Sequence, residues 1–170
     1  MTVSTISRFR YTQPFTLTAN SKLAVPTISS KDMTEQKTRD PKEVAVAYFR
    51  NFETGNKEDS WAAKYVQELV SDEPQDGWVM VLQLVKSAPS KDALAYVAEA
   101  TLEDLLKNHG SDLIDKVESE SKANDRFRCT LSNVWLTDSD EIFPRFKALR
   151  KKYGFDKADP FDALTDDMFQ

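Results

Sequence analysis

Short apolar stripes at helical spacing, each bounded by helix start and stop signals, constrain the fold of residues 40–154 most strongly. The first such unit begins with a capping box, Asp40-Pro41-Lys42-Glu43, which places Pro at the first helical position. It ends at Gly55, a residue that readily adopts the left-handed conformation of a helix stop. The apolar residues between these signals recur every three or four positions: Val44, Ala45, Tyr48, Phe49 and Phe52.

Comparable units follow along the chain. Their predicted first residues or caps are Asp59, Pro74, Ser90, Thr101, Ser111, Asn124 or Asp125, and Pro144, with a last stop at Gly154. The apolar run WVMVLQLV at 78–85 fits a buried helix or a buried strand, and helix is favoured because no second strand signal exists to pair with it. We therefore predict an all-α fold. It has seven or eight short helices in an antiparallel hairpin array or an irregular bundle.

The stretch TLEDLLKNHG, residues 101–110, contains the chain's single histidine, His109. Thr101 has the character of an N-cap, with Asp104 in the capping-box position. Gly110 then matches a left-handed stop, which places His109 in a last turn where the helix dipole favours a cation. These signals predict a separate short helix. The positions of its charged residues are explained by capping and by the helix dipole at its two ends.

The two ends of the chain differ from the helical region. Residues 1–31 contain no acidic residue and no helical periodicity. This segment is interpreted as a flexible tail, as an extension upstream of a true start at Met33, or as an organelle transit peptide. We predict three parts: an N-terminal extension over 1–39, a helical domain over 40–154, and an acidic, aromatic tail over 155–170.

Composition limits the classes of function. The net charge of −5 disfavours general nucleic-acid binding, and the single Cys excludes a disulfide within the chain, which fits a reducing compartment. No apolar run approaches the roughly 20 residues of a membrane helix. A calcium loop beginning at Asp138 would need Gly at 143 and Glu at 149, where Phe143 and Leu149 stand. We predict a cytoplasmic protein with no cofactor, no metal and no membrane association.

An enzymatic alternative centres on His109, because an imidazole can act as a general base or a metal ligand. The chain would then be a small, hydrolase-like enzyme with Glu103 or Arg126 beside the imidazole. Cys129 is a candidate nucleophile whose pKa Arg126 and Arg128 would lower. Helix-end placement of the imidazole and simple packing of the thiol compete with these roles. We therefore assign no catalytic residue and keep four candidates: His109, Glu103, Arg126 and Cys129.

The last helix and the tail carry opposite charges. Residues 145–152 are strongly basic, and the tail FDKADPFDALTDDMFQ is acidic and aromatic. The tail is expected to dock either on its own basic helix or on a partner, and the basic helix is a second alternative site, for nucleic acid. The predicted partner-binding residues are Phe155, Phe161, Met168, Phe169, Arg145, Arg150 and Lys151. Trp61, Trp78 and Trp135 are further candidate anchors, although core positions are expected for all three.

The order of motifs over residues 78–135 resembles an uncharacterised bacterial domain-of-unknown-function family. The shared elements are an aromatic helix at Trp78, Leu-Glu-Asp-Leu-Leu ending in His-Gly, an acidic helix, and Arg-Phe-Arg followed by Val-Trp. The family usually has Gly-Pro before the first motif, where Ala100-Thr101 stands here. The resemblance implies an all-helical domain and no particular activity. It also places His109, Arg126 and Trp135 at motif positions, so a shared site or core network is one expectation.

The leading functional prediction is a non-enzymatic protein-interaction domain. It would bind an unknown protein partner in a groove between helices, and the sequence names neither that partner nor an oligomeric state. A hydrolase-like enzyme centred on His109 and a nucleic-acid binder using residues 145–152 are the alternatives.

Overall fold

The computed structural model describes residues 39–155, 164 and 169, which all belong to one compact unit, 38–170. These residues form helices and loops with no strand, so the all-α prediction is confirmed. A 3₁₀ turn spans Lys57–Asp59 and a π-helical turn spans Ala98–Leu102. The α-helices are α1 (Pro41–Thr54), α2 (Ser60–Asp72), α3 (Pro74–Ser87), α4 (Lys91–Val97), α5 (Glu103–Ala123), α6 (Asp125–Ser132) and α7 (Phe143–Tyr153). The predicted extension 1–39, apart from Arg39, lies outside the described residues.

Most helix ends follow the predicted local signals. The side chains of Asp40, Ser90 and Asn124 each accept a hydrogen bond from the backbone N–H two or three residues on, at 2.9–3.1 Å. Gly55 and Gly154 adopt φ values of 64° and 73° directly after α1 and α7. These caps satisfy backbone groups that the helices themselves leave unpaired.

Helix α3 lies at the centre of the domain. It contacts α1, α2, α4, α5 and α6, and its apolar run is helical, as predicted. The ring of Trp78 packs edge-on against Phe127 of α6, with 5.5 Å between ring centroids. The buried residues of α3 are Gly77, Trp78, Met80, Val81, Leu84 and Val85. Because α3 is covered on several sides, it is apolar nearly all round. Its sequence therefore lacks the one-sided apolar stripe that distinguishes a helix from a strand.

The stretch 101–110 does not form the predicted separate helix. Thr101 is buried in the π-helical turn that leads from α4 into α5, and it caps nothing, because its hydroxyl hydrogen-bonds the Tyr48 hydroxyl at 2.9 Å. The predicted left-handed stop at Gly110 is also wrong, since Gly110 lies inside α5. The helical path is broken one residue earlier, at His109, whose φ and ψ are −136° and 19°.

The core position expected for Trp135 is wrong as well. Helix α6 ends at Ser132, and Trp135 lies in the loop formed by residues 133–142. Its side chain is 74% exposed, whereas a core position was expected for all three tryptophans. Trp78 is buried as expected, and Trp61 is half-buried beneath the Arg39 guanidinium, which lies 4.4 Å from the ring centroid.

Gly110 permits a close approach between α5 and the end of the 133–142 loop. A Cβ atom at this position would lie 2.7–3.0 Å from three carbons of Ile142, which is itself buried. Such distances are well inside van der Waals contact, so a larger residue at 110 forces Ile142 to move.

We predict that Gly110→Ala destabilises the domain by about 1–3 kcal/mol, the usual range for overpacking a core. The measurement is the free energy of unfolding from urea titration. The matched control is the same substitution in an Ile142→Ala background. There the clash is gone, and Ala should be neutral or stabilising by up to about 1 kcal/mol because it favours helix. Equal effects in the two backgrounds would contradict close packing at this point.

Candidate functional site

The loop of residues 133–142, called here the Trp135 loop, presents a large aromatic side chain to solvent. Trp135 is 74% exposed, while its neighbours Val134 and Leu136 are only 1% and 8% exposed. This in–out–in alternation is typical of an extended segment with one face on a core. The two buried neighbours therefore hold the indole on the outside of the domain.

A carboxylate from α5 holds the backbone of Trp135. The Trp135 N–H donates to Glu103 Oε2 at 2.9 Å, and the other carboxylate oxygen accepts from Lys107 Nζ at 2.5 Å. Hydrogen bonds to charged acceptors are stronger than those between neutral groups. The hydrogen bond that Lys107 donates to Glu103 also raises the pKa of Lys107 above its ordinary value. Glu103, a candidate for catalysis in the sequence, is thus placed as an acceptor for the loop backbone.

Further hydrogen bonds hold both ends of the loop. Arg150 Nη1 of α7 donates to the carbonyl oxygens of Ser132 and Val134, at 2.9 and 3.4 Å. At the other end, Asp140 Oδ2 accepts from the Thr137 N–H at 2.6 Å and from the Thr137 hydroxyl at 3.0 Å. The backbone on either side of the indole is therefore held by Glu103 and Arg150, and the turn that follows is held by Asp140.

The Trp135 loop is acidic. It contains Asp138, Asp140 and Glu141 and no basic residue. Asp140 is engaged with Thr137, whereas Asp138 and Glu141 are exposed. The exposed aromatic ring is therefore accompanied by carboxylates on its own loop.

His109 lies at the break in α5 and contacts the end of α2. Its Nε2 is 2.9 Å from the carbonyl oxygen of Ser71, and because a carbonyl only accepts, this nitrogen carries the proton and donates. The imidazole thereby joins α5 to α2 beside the kink. A catalytic role for His109 stays a prediction, and this geometry favours a structural role.

Arg126 is placed at the carboxyl end of α3. Its guanidinium donates to the carbonyl oxygens of Val85 at 3.1 Å and Ala88 at 2.7 Å, where the helix dipole favours a cation. Burial lowers the pKa of Arg126. Cys129, the candidate nucleophile, is a buried thiol in α6. The motif residues His109, Arg126 and Trp135 thus contact Ser71, the end of α3 and Glu103, respectively.

Described residues of the tail pack on the domain that precedes them. Phe155 and Leu164 are 9% and 3% exposed, and the Phe169 ring lies over the Arg126 guanidinium at 4.7 Å. Phe161 and Met168, two of the predicted partner-binding residues, lie outside the described residues. Phe155 and Phe169, the predicted aromatic anchors that the structure describes, therefore already pack against other parts of the chain.

The basic helix α7 is partly neutralised. Arg145 forms ion pairs with Asp115 at 2.7 Å and Glu118 at 2.8 Å, which raise its pKa above the ordinary value. Lys151 is exposed at the end of the helix. A partner-binding role for these cations stays a prediction.

Three cavities of the described region lie elsewhere. An open pocket of about 410 Å³ is lined by α1 and the turn before α2, where Arg50 approaches Asp59 to 3.5 Å. A cavity of about 60 Å³ contains Tyr48, Tyr96 and Thr101, and burial raises the pKa of Tyr48. A third, of about 80 Å³, lies beside α2 and α3. None of the three includes a candidate catalytic residue among those that line it.

Neither a candidate metal cluster nor a membrane-spanning helix occurs in the part of the chain that the structure describes. No group of three or more His, Cys, Asp or Glu side chains there has the arrangement of a metal site. No helix among the described residues has the length and apolar character needed to cross a membrane.

We predict that Glu103→Ala accelerates amide hydrogen exchange at Trp135 by about tenfold, because a hydrogen bond to a charged acceptor, worth about 1.5 kcal/mol, no longer protects that N–H. Exchange is followed by NMR at single-residue resolution. Asp112→Ala is the matched control, since Asp112 is an exposed acid on the same helix. Unchanged exchange at Trp135 in Glu103→Ala would show that the carboxylate does not hold the loop.

Comparison with known proteins identifies one family. The sequence matches the model of a family of unknown function, DUF6869, over residues 50–154, which is more than half of the chain. No curated protein and no solved structure matches. The matched segment includes the motif region 78–135 and the whole Trp135 loop, and the predicted resemblance to a domain-of-unknown-function family is confirmed. The chain therefore belongs to the DUF6869 family, whose function is unknown.

Proposed function

We propose that this chain is a non-enzymatic protein-interaction domain that binds its partner through the Trp135 loop. One observation carries the proposal: an indole that is 74% exposed stands on a backbone held by Glu103 and Arg150. Tryptophan is enriched among the residues that dominate binding energy at protein interfaces. A large exposed aromatic on a fixed backbone is suited to that role.

The energetic argument favours binding at this point. A buried tryptophan removes roughly 150–250 Å² from water, and apolar area contributes about 25 cal/mol per Å². Covering an indole that is 74% exposed is therefore worth about 3–5 kcal/mol. Ordering a flexible loop would offset such a gain by roughly 1–2 kcal/mol per residue, and the hydrogen bonds of this loop reduce that loss.

The contacts of the catalytic candidates support this function over a hydrolase. A general base needs its imidazole within reach of a reacting group in a cleft. His109 instead bonds the Ser71 carbonyl, and Glu103 accepts from Trp135 and Lys107. We infer that both residues serve the architecture of the domain.

The charges also support protein binding over nucleic-acid binding. The Trp135 loop carries three acids and no base, which repels phosphate. On α7, Arg145 is paired with Asp115 and Glu118, so it contributes little net positive charge. A cytoplasmic location is part of the proposal, because a chain with a single Cys suits a reducing compartment.

Site-specific photo-crosslinking in the native cell tests this function. A benzophenone amino acid is placed at position 138, an exposed site three residues after Trp135 in the same loop, and in a control protein at position 79. Val79 is 54% exposed on α3, so it reports contacts with another apolar surface patch. We expect a discrete crosslinked protein from position 138 and none from position 79. The protein identified by mass spectrometry is then purified for binding measurements.

Binding of that purified partner gives the quantitative result. Trp135→Ala should weaken it by about 30-fold or more, the effect of losing at least 2 kcal/mol at an interface hot spot. Val79→Ala should bind as the unmodified protein does. Equal affinity for Trp135→Ala and the unmodified chain would overturn the proposed function.

A further inference from the structure

We propose that the partner presents a lysine- or arginine-bearing segment, whose cation stacks on the Trp135 indole beside Asp138 and Glu141. This inference rests on the proposed function and specifies the chemistry of the protein that the loop recognises. Three features carry it: the exposed ring, the charge of the loop, and the engagement of the neighbouring cations.

The exposed ring is the first feature. Tryptophan is the best aromatic acceptor for a cation, which is attracted to the ring face when it lies within about 6 Å of the centroid. The chain already makes such a contact at Trp61, where the Arg39 guanidinium lies 4.4 Å from the ring centroid. Trp135 as a whole residue is 74% exposed, so its ring is accessible to a cation from another protein.

The charge of the loop is the second feature. Asp138 and Glu141 are exposed on either side of Asp140, and no basic residue occurs within 133–142. Opposite charges around an aromatic acceptor steer a cation toward it and repel anionic partners. An acidic or purely apolar partner segment would place no positive charge opposite the carboxylates of Asp138 and Glu141.

The third feature concerns two neighbouring cations, Lys107 and Arg150, both of which bond groups of the domain itself. Lys107 pairs with Glu103, and its raised pKa also reflects the charges of Asp140 and Asp104. Arg150 is half-buried and donates to the backbone carbonyls of Ser132 and Val134, at the start of the loop. No ion pair among the described residues includes Asp138 or Glu141, so these two acids are available to a partner.

Titration of the full-length chain with short synthetic peptides tests the inference. The probe is an acetylated Gly-Ser peptide carrying three arginines, and the comparison peptide has glutamine in their place. Two-dimensional NMR follows the Trp135 indole N–H and the amides of residues 133–142. We expect the arginine peptide to shift these signals and the glutamine peptide to leave them unchanged.

Substitutions separate specific recognition from the attraction of any acidic protein for a cationic peptide. Asp138→Asn combined with Glu141→Gln should weaken binding about three- to tenfold, and Trp135→Leu about three- to 30-fold. Asp112→Asn, at an exposed acid of α5, should leave it unchanged. Raising the salt concentration from 0.05 to 0.5 M should weaken the interaction about tenfold.

Defined results would overturn the inference. Equal binding of the two peptides would do so, as would shifts centred elsewhere, or a loop double variant that binds as the unmodified chain does. Concentration-dependent dimerisation that Trp135→Leu abolishes would replace the foreign partner with a second copy. If the crosslinked partner needs Trp135 but the arginine peptide produces no shift, the inference fails while the proposed function stands. If no partner depends on Trp135, the proposed function itself fails.

Discussion

The carboxylate of Glu103 connects two parts of the domain that lie far apart in the chain. It accepts the Trp135 N–H and the Lys107 ammonium, so one side chain of α5 fixes the backbone from which the indole projects. Without this acceptor the N–H at 135 would depend on water, and only the burial of Val134 and Leu136 and the Arg150 hydrogen bonds would orient the ring. The exposure of the Trp135 indole thus depends on the residues that hold its backbone.

The rest of α5 supports the same loop. Gly110 leaves room for Ile142, which closes the loop against the helix, and the break at His109 lies directly before that contact. The imidazole ties the break to α2 through the Ser71 carbonyl. Residues 103–110 therefore support residues 133–142, which gives a structural reason for Glu103, His109 and Gly110.

Local signals predicted the local features of the fold. The caps at Asp40, Ser90 and Asn124 depend on residues two or three positions away, and the left-handed stops depend only on Gly55 and Gly154. Such short-range chemistry can be read from neighbouring residues. The helical state of residues 78–85 also followed, because no partner strand was available.

Features that depend on distant residues were not predictable in the same way. The Thr101 hydroxyl bonds Tyr48, 53 positions away, and that contact removes it from the capping role that its neighbours suggest. Gly110 serves the packing of Ile142 instead of a helix end. Glu103 and Trp135 were both singled out from the sequence, but their pairing across 32 positions had no local signal.

Backbone order at Trp135 tests most directly whether this indole is exposed on a rigid loop. The measurement is the ¹⁵N relaxation order parameter of the Trp135 amide in the full-length chain. A held loop predicts a value of about 0.85, as in the helices around it. A value below about 0.6 would describe a flexible loop and contradict the account.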